Sequence, residues 1–221
     1  MTDISSNILS LRKEIPGRIR IVAVSKTKPV EDIMQAYEAG HRVFGENRIP
    51  ELVSKKETLP PDIEWHMIGH IQSNKVKLLI PHASLIHSID SLKLLEIINR
   101  ESEKAGVVTS CLFQFHIASE ETKSGFLPDE AMEVLDSDGF RAMKNVQIKG
   151  VMGMATFTDR DDMVRGEFRS LRSIFNSLKD KYFRDDGEFC EISMGMSGDY
   201  RIAIEEGATI VRIGSLIFGS R

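Results

Sequence analysis

Residues 21–40, IVAVSKTKPVEDIMQAYEAG, contain the structural unit on which the fold depends. The apolar run at 19–25 is nearly continuous, which is typical of a parallel strand covered on both faces. Apolar residues then recur at helical spacing before a glycine stop signal, namely Val30, Ile33, Met34 and Tyr37, followed by Gly40. The stretch therefore predicts a strand followed directly by an amphipathic helix.

The same unit recurs along the whole chain. Seven further apolar runs follow, at 42–47, 64–69, 85–90, 110–118, 147–155, 189–197 and 209–219. Segments with helical spacing lie between them, so the pattern predicts a single-domain (β/α)8 TIM barrel over residues 1–221. A doubly wound open sheet is the alternative, but its G-x-G-x-x-G turn is missing after the first strand.

Composition excludes several classes of protein. The 221 residues are enough for one sizeable core, and a formal net charge of −4 gives no general attraction to nucleic acid or anionic membranes. We find neither a secretory signal nor an apolar run as long as a membrane span. Cys111 and Cys190 both fall in predicted strands, where we expect small buried side chains in a reducing compartment. These features predict a cytoplasmic protein with no nucleic-acid or membrane partner.

The C-terminal ends of the predicted strands collect polar residues and glycines, and in such barrels these ends build the site. The sequence MGMSGDY at 194–200 places Ser197 where it caps a short helix starting near Gly198. Gly214 and Ser215 follow the eighth strand, and phosphate groups commonly bind between the last two of these loops. This rim predicts a small phosphate-bearing ligand; a helix cap with nothing bound is the alternative.

Lys26 ends the first predicted strand and Arg212 lies near the end of the eighth. A lysine that is partly desolvated at a barrel mouth has a lowered pKa and is a better nucleophile. An amine facing a phosphate site suits a Schiff base with a phosphorylated aldehyde, and an arginine is one known partner for a pyridoxal phosphate ring nitrogen. The structural alternatives are a solvated strand end for Lys26 and a salt bridge, for instance to Glu46, for Arg212.

Seven motifs in register resemble one family, the YggS-like pyridoxal phosphate homeostasis proteins. The resemblance extends from Ile19 to Arg221. The motifs are AVSKTKP at 23–29, FGENR at 44–48, EWHMIGHIQSNK at 64–75, HSID at 87–90, TKSG at 122–125, GVMGMA at 150–155 and SMGMSGDYRIAIEEGATIVRIGSLIFG at 193–219.

The resemblance implies a fold-type III barrel, similar to the N-terminal domain of bacterial alanine racemase. It implies pyridoxal 5'-phosphate (PLP) held as an internal aldimine on Lys26, with Arg212 at the ring nitrogen. It also implies further cofactor contacts: phosphate contacts from Met196, Ser197, Gly214 and Ser215, Asn47 near the ring, and His66, Ser88 and Met152 lining the pocket. Members of the family are thought to buffer and deliver the cofactor rather than to turn over a substrate.

Two positions depart from the family motifs, and a third is a further candidate site residue. Pro50 stands where the family has a glutamine, and His116 stands where an asparagine is usual. We interpret His116 as facing the cofactor ring, with core packing as the alternative. Lys123 is predicted to lie at the mouth of the site and to hold a second anion.

A racemase and a class I aldolase-like Schiff-base enzyme are the catalytic alternatives. Racemases of this type need a tyrosine from a partner's β-domain, and none of Tyr37, Tyr182 and Tyr200 is an obvious substitute. We therefore expect a cofactor carrier without established turnover, monomeric and without a metal. Apo PLP-dependent enzymes are candidate partners, and Lys75 and Lys77 form either a partner surface or a solvated helix face.

Overall fold

The computed structural model describes residues 3–119 and 125–219 and contains a closed barrel of eight parallel strands in the order β1 to β8. The strands are β1 (Arg20–Val24), β2 (Val43–Glu46), β3 (Glu64–Met67), β4 (Leu85–Ile89), β5 (Thr109–Phe115), β6 (Val146–Gly153), β7 (Glu191–Ser193) and β8 (Ile210–Ile213). β1 pairs with both β2 and β8, which closes the barrel. The predicted (β/α)8 architecture is confirmed.

One helix precedes β1, the others follow strands, and together they cover the outside of the barrel. They are α1 (Ile4–Glu14), α2 (Val30–Glu38), α3 (Ile49–Thr58), α4 (Val76–Leu79), α5 (Leu92–Ala105), α6 (Pro128–Asp136), α7 (Asp138–Arg141), α8 (Asp161–Tyr182), α9 (Tyr200–Glu205) and α10 (Ser215–Phe218), with a 3₁₀ turn at Ser73–Lys75. None of them, in the described part of the chain, has the length and apolar character needed to cross a bilayer.

Local signals fix where α5 and α6 begin and end. Ser91 accepts a hydrogen bond from the Leu94 N–H at the start of α5, and Gly106 ends that helix with a left-handed φ of 69°. Pro128 is the first residue of α6, where its missing N–H leaves no helical bond unmade. Each of these helix boundaries is therefore fixed by a residue type that acts locally.

Alternation along the strands sorts the apolar side chains into two layers. The inner layer fills the barrel axis with Val22, Leu85, Leu112, Met152 and Ile210. The larger outer layer lies between strands and helices and includes the fully buried Phe44 and Trp65. Burying a large apolar side chain contributes roughly 1.5–3 kcal/mol, so these two layers supply the main drive to close the barrel.

Two sequence expectations are wrong in the last part of the chain, after residue 188. The run at 209–219 is not one strand, because β8 ends at Ile213 and α10 begins at Ser215. A short apolar run does not by itself separate a buried strand from a helix turn. Cys111 is buried as expected, but Cys190 precedes β7, is exposed, and borders a cavity at the N-terminal end of the barrel.

Candidate functional site

Barrel closure brings the first and last strands of the chain together at the C-terminal mouth. Gly214 follows β8 and lies beside Val24, because a Cβ placed on it would be 3.4 Å from the Val24 Cβ. The Lys28 ammonium also donates to the Phe218 carbonyl at 3.0 Å. The half-buried Lys26 therefore lies next to the loop that follows β8.

Arg212 is buried within the barrel, and three carbonyl or hydroxyl oxygens hold its guanidinium. One terminal nitrogen donates to the carbonyl and the hydroxyl of Ser193, and the other donates to the Gly153 carbonyl at 3.0 Å. Within the described residues neither the Nε–H nor the second proton of Nη2 meets an acceptor, so two donors are left for a ligand, the Nε–H among them. Burial lowers the Arg212 pKa to about 10, which still leaves the group cationic near pH 7.

The alternative pairing of Arg212 with Glu46 is wrong. Glu46 lies on the outer face of β2, where it accepts hydrogen bonds from Ser25 and Lys55. Alternation along β8 instead places Arg212 on the inner face with Ile210.

A chain of polar side chains continues from Arg212 across the barrel axis. The Ser193 hydroxyl contacts His87 Nδ1 at 2.9 Å, and His87 Nε2 contacts His66 Nδ1 at 2.9 Å. Arginine only donates, so Ser193 accepts from it and is left with one proton to give to His87. Each of these contacts then joins one donor to one acceptor if both imidazoles carry their proton on Nε2.

Burial keeps these two imidazoles neutral. It lowers the pKa of His66 to about 3 and that of His87 well below the usual value. His66 also borders a cavity of about 220 Å³ at the N-terminal ends of the strands. Its connection to the candidate site thus runs through His87 and Ser193, and its contact with a cofactor stays a prediction.

The loops after β7 and β8 form an anion cradle, defined here as residues 196–198 and 214–216. The two loops touch where the Gly214 N–H donates to the Ser197 hydroxyl at 3.2 Å. Four backbone N–H groups of the cradle meet no acceptor in the described part of the chain, those of Ser197, Gly198, Ser215 and Leu216. Unpaired N–H groups gathered in two touching loops suit a phosphate.

Ser197 does not cap α9, contrary to the sequence prediction. The residue before α9 is Asp199, whose side chain accepts from the Met196 N–H and so tightens the loop. Because Asp199 takes that position, the Ser197 hydroxyl turns to Gly214. The cradle is thus built by two loops in contact rather than by one helix end.

The other predicted site residues occupy different depths. Asn47 is half-buried and lines an open cleft of about 580 Å³ beside the mouth, together with Pro50 in the first turn of α3. Met152 is buried in the inner layer, whereas Met196 is 37% exposed on the cradle. The buried Ser88 donates to the Gly69 carbonyl at 2.6 Å, so it holds the loop after β3.

Two further predictions concern the loop after β5. His116 directly follows this strand and is half-buried, and its N–H bonds the Phe126 carbonyl. Strand alternation places it on the same side as Leu112, which faces the barrel axis, so its role toward the ring stays a prediction. Lys123 lies outside the described residues.

The sequence did not reveal the residues that hold Arg212 and the backbone beside Lys26 in place. Ser193 and His87 connect Arg212 to the barrel axis, and Lys55 bonds the backbone beside Lys26. Strand alternation offered a signal for the first two, because each lies on a strand at the inward-facing parity. Lys55 had none, since a lysine on an amphipathic helix normally faces water. No group of side chains suited to a metal ion occurs within residues 3–119 and 125–219.

Comparisons with known proteins agree with this architecture. The family model described as "Alanine racemase, N-terminal domain" matches residues 1–221, which defines the class of barrel. The "Pyridoxal phosphate homeostasis protein" of Aquifex aeolicus is 39% identical over 203 residues, covering 91% of this chain and 87% of that protein. The structure of PipY from Synechococcus elongatus with PLP bound has a TM-score of 0.88 at 33% identity, covering 98% of this chain and 100% of PipY.

The structure of PipY without PLP has a TM-score of 0.91 at the same identity and coverage. The chain therefore belongs to the pyridoxal phosphate homeostasis proteins, a family within the alanine racemase N-terminal-domain class. The family predicted from the seven motifs is confirmed.

Proposed function

We propose that this protein binds PLP at the C-terminal mouth of the barrel and serves in PLP homeostasis. The observation that carries the proposal is the convergence of Lys26, Arg212 and the anion cradle at one mouth, from opposite ends of the chain. The names of the relatives and the PLP-bound PipY structure support the same cofactor.

The residues of the mouth fit the chemical groups of PLP. The cradle offers four unpaired backbone N–H groups and the Ser197 hydroxyl to the phosphate. The Arg212 Nε–H suits the ring nitrogen, and because an arginine accepts no proton, it keeps that nitrogen unprotonated. When bound, PLP supplies an aldehyde that condenses with a primary amine, and the amine here is that of Lys26. Asn47, His66, Ser88, Met152, Met196, Gly214 and Ser215 complete the proposed set of cofactor-site residues.

The tyrosines favour a carrier over a racemase. Racemisation needs a second acid or base opposite the lysine, and a phenol is the usual group. Each of the three phenols instead donates to a carboxylate outside the barrel: Tyr37 to Asp62, Tyr182 to Asp136 and Tyr200 to Glu14. The described residues thus offer the amine of Lys26 and no phenol directed at it.

The colour of the purified protein tests the cofactor proposal. We expect yellow protein whose visible absorbance disappears on borohydride reduction, with the added mass located on Lys26. The Lys26→Ala variant should be colourless, whereas Lys28→Ala should stay yellow as its control. Colourless native protein that PLP leaves unchanged would contradict the proposal, and reduction that traps a phosphorylated sugar on Lys26 would favour the aldolase alternative.

A transfer assay separates a carrier from a passive reservoir. We propose delivery to apo PLP-dependent enzymes by a monomeric, cytoplasmic protein, and Lys75 and Lys77 are candidate contacts. Loaded protein should activate an apo-enzyme faster than free PLP at the concentration that dissociation alone supplies. Equal rates would leave only the reservoir.

A further inference from the structure

Lys26 is the second residue of a strained turn. The Ser25 carbonyl accepts the Lys28 N–H at 3.0 Å, which closes a four-residue turn with Lys26 and Thr27 at its centre. Thr27 has a φ of 64° and is the only non-glycine residue with a positive φ among the described residues. A β-branched residue in this region is strained by roughly 1–3 kcal/mol and persists only where its surroundings hold it.

A buried ionic cluster behind the turn provides that support. We define the cluster as Glu46 on β2 with Glu51 and Lys55 on α3. The Lys55 ammonium donates to the Ser25 carbonyl at 2.8 Å, to Glu46 at 2.8 Å and to Glu51 at 2.7 Å, so all three of its protons are used. Lys55 is 7% exposed and Glu46 is fully buried.

The cluster forms hydrogen bonds with the residues on both sides of Lys26. On one side, Glu46 accepts from the Ser25 hydroxyl at 2.6 Å, and Lys55 bonds the carbonyl of the same residue. On the other side, Glu51 accepts the Thr27 N–H at 2.6 Å. Stability alone does not explain this design, because a buried ion pair is often no more stabilising than a well-packed apolar pair.

We propose that Lys55, acting with Glu46 and Glu51, is a positioning residue that holds the Ser25–Lys28 turn and so aims the Lys26 amine at the cofactor aldehyde. This inference rests on the proposed function. In the linkage a C=N bond replaces the aldehyde C=O, two protons leave Nζ, and the oxygen departs as water. The cluster touches neither the cradle nor Arg212, so it governs the linkage and not the phosphate contacts.

Two ligands separate these effects. PLP reports linkage, measured as borohydride-trapped mass on the Lys26 peptide across a concentration series. Pyridoxine 5'-phosphate has an alcohol in place of the aldehyde, so it reports non-covalent binding alone. Lys55→Met and Glu51→Ala should weaken linkage about tenfold, because the turn populates its strained form less often. Binding of pyridoxine 5'-phosphate should change less than twofold.

Control and rescue variants exclude a merely structural effect. Lys179→Met removes another partly buried lysine that bonds two backbone carbonyls, on α8, and should leave linkage unchanged. Glycine adopts a positive φ without steric cost, so Thr27→Gly combined with Glu51→Ala should recover most of the lost linkage. If Lys55→Met fails to fold, Glu51→Ala carries the test, because Lys55 then keeps Glu46 and Ser25.

The outcomes are distinct. Unchanged linkage in Glu51→Ala, or equal loss for both ligands without rescue by Thr27→Gly, would overturn the positioning role. Failure of native protein to bind either ligand would refute the proposed function, and the inference would fall with it. Selective loss of linkage with glycine rescue supports both.

Discussion

At the scale of single residues, the loop after β7 depends on one glycine. Gly195 has a φ of 91°, and a Cβ on it would lie 2.5 Å from the Ala203 Cβ on α9. Only a residue without a side chain lets this loop approach α9 so closely. Gly198, three residues on, has open space around its Cα and an ordinary φ.

Alanine at these two glycines should therefore have different effects. We expect Gly195→Ala to lower the free energy of unfolding by about 1–3 kcal/mol and to weaken PLP binding, because the cradle must shift. Gly198→Ala should change stability by about 0.5 kcal/mol or less. Urea denaturation of both variants measures the difference, and equal values would show that the loop tolerates a Cβ at 195.

At the scale of elements, four strands share one hydrogen-bonded chain across the barrel axis. β3 supplies His66, β4 supplies His87, β7 supplies Ser193 and β8 supplies Arg212. These hydrogen bonds pair polar groups that would be costly to bury alone. They also fix which edge of the Arg212 guanidinium faces the mouth.

Nitrogen NMR on labelled histidine tests which group donates and which accepts in each of these hydrogen bonds. We expect both His66 and His87 to carry the proton on Nε2 and to stay neutral from pH 8 to pH 5. His41 is an internal reference for that tautomer, because its Nε2 donates to the Val43 carbonyl at 2.8 Å. In Ser193→Ala, His87 should populate both tautomers, because its Nδ1 loses the hydroxyl that donates to it. A proton on Nδ1 of either barrel histidine in the native protein would refute the assignment.

At the scale of the whole molecule, buried histidines link folding to pH. Burial lowers the pKa of His41 to about 4 and that of His66 to about 3, and lowers the His87 pKa strongly. In the unfolded chain each of these imidazoles takes up a proton near pH 6.5, whereas in the folded protein it stays neutral at that pH. Their contribution to stability is thus complete above about pH 6.5 and is lost as the pH falls toward the folded values.

Unfolding measured between pH 7 and pH 4.5 should show this loss. Each histidine is expected to add about 1.4 kcal/mol per pH unit to the slope of the unfolding free energy. Glu46 acts in the opposite direction, because burial raises its pKa. His41→Gln, outside the candidate site, should remove one histidine's share of the slope. A flat profile over this range would contradict the neutral state of the three histidines.

The sequence predicted more of the barrel than of the support for its site. Strand and helix periodicities are local, so the order of elements followed from the chain itself. Lys26, Arg212 and the glycines of the cradle stood at predicted strand ends, and they were found for that reason. Lys55 was not found, because its helical position suggests solvent and only the packing of α3 against β2 shows that it is buried.

The amino-acid sequence alone determined the alternation of strands and helices and the family to which the chain belongs, since both are carried by residue order. Only the tertiary structure decided the partners of Arg212, the hydrogen bond between Ser197 and Gly214, and the hydrogen bonds that hold the turn around Lys26. Those choices depend on which groups lie within hydrogen-bonding distance once the barrel closes, and no local pattern encodes a distance between residues far apart in the chain.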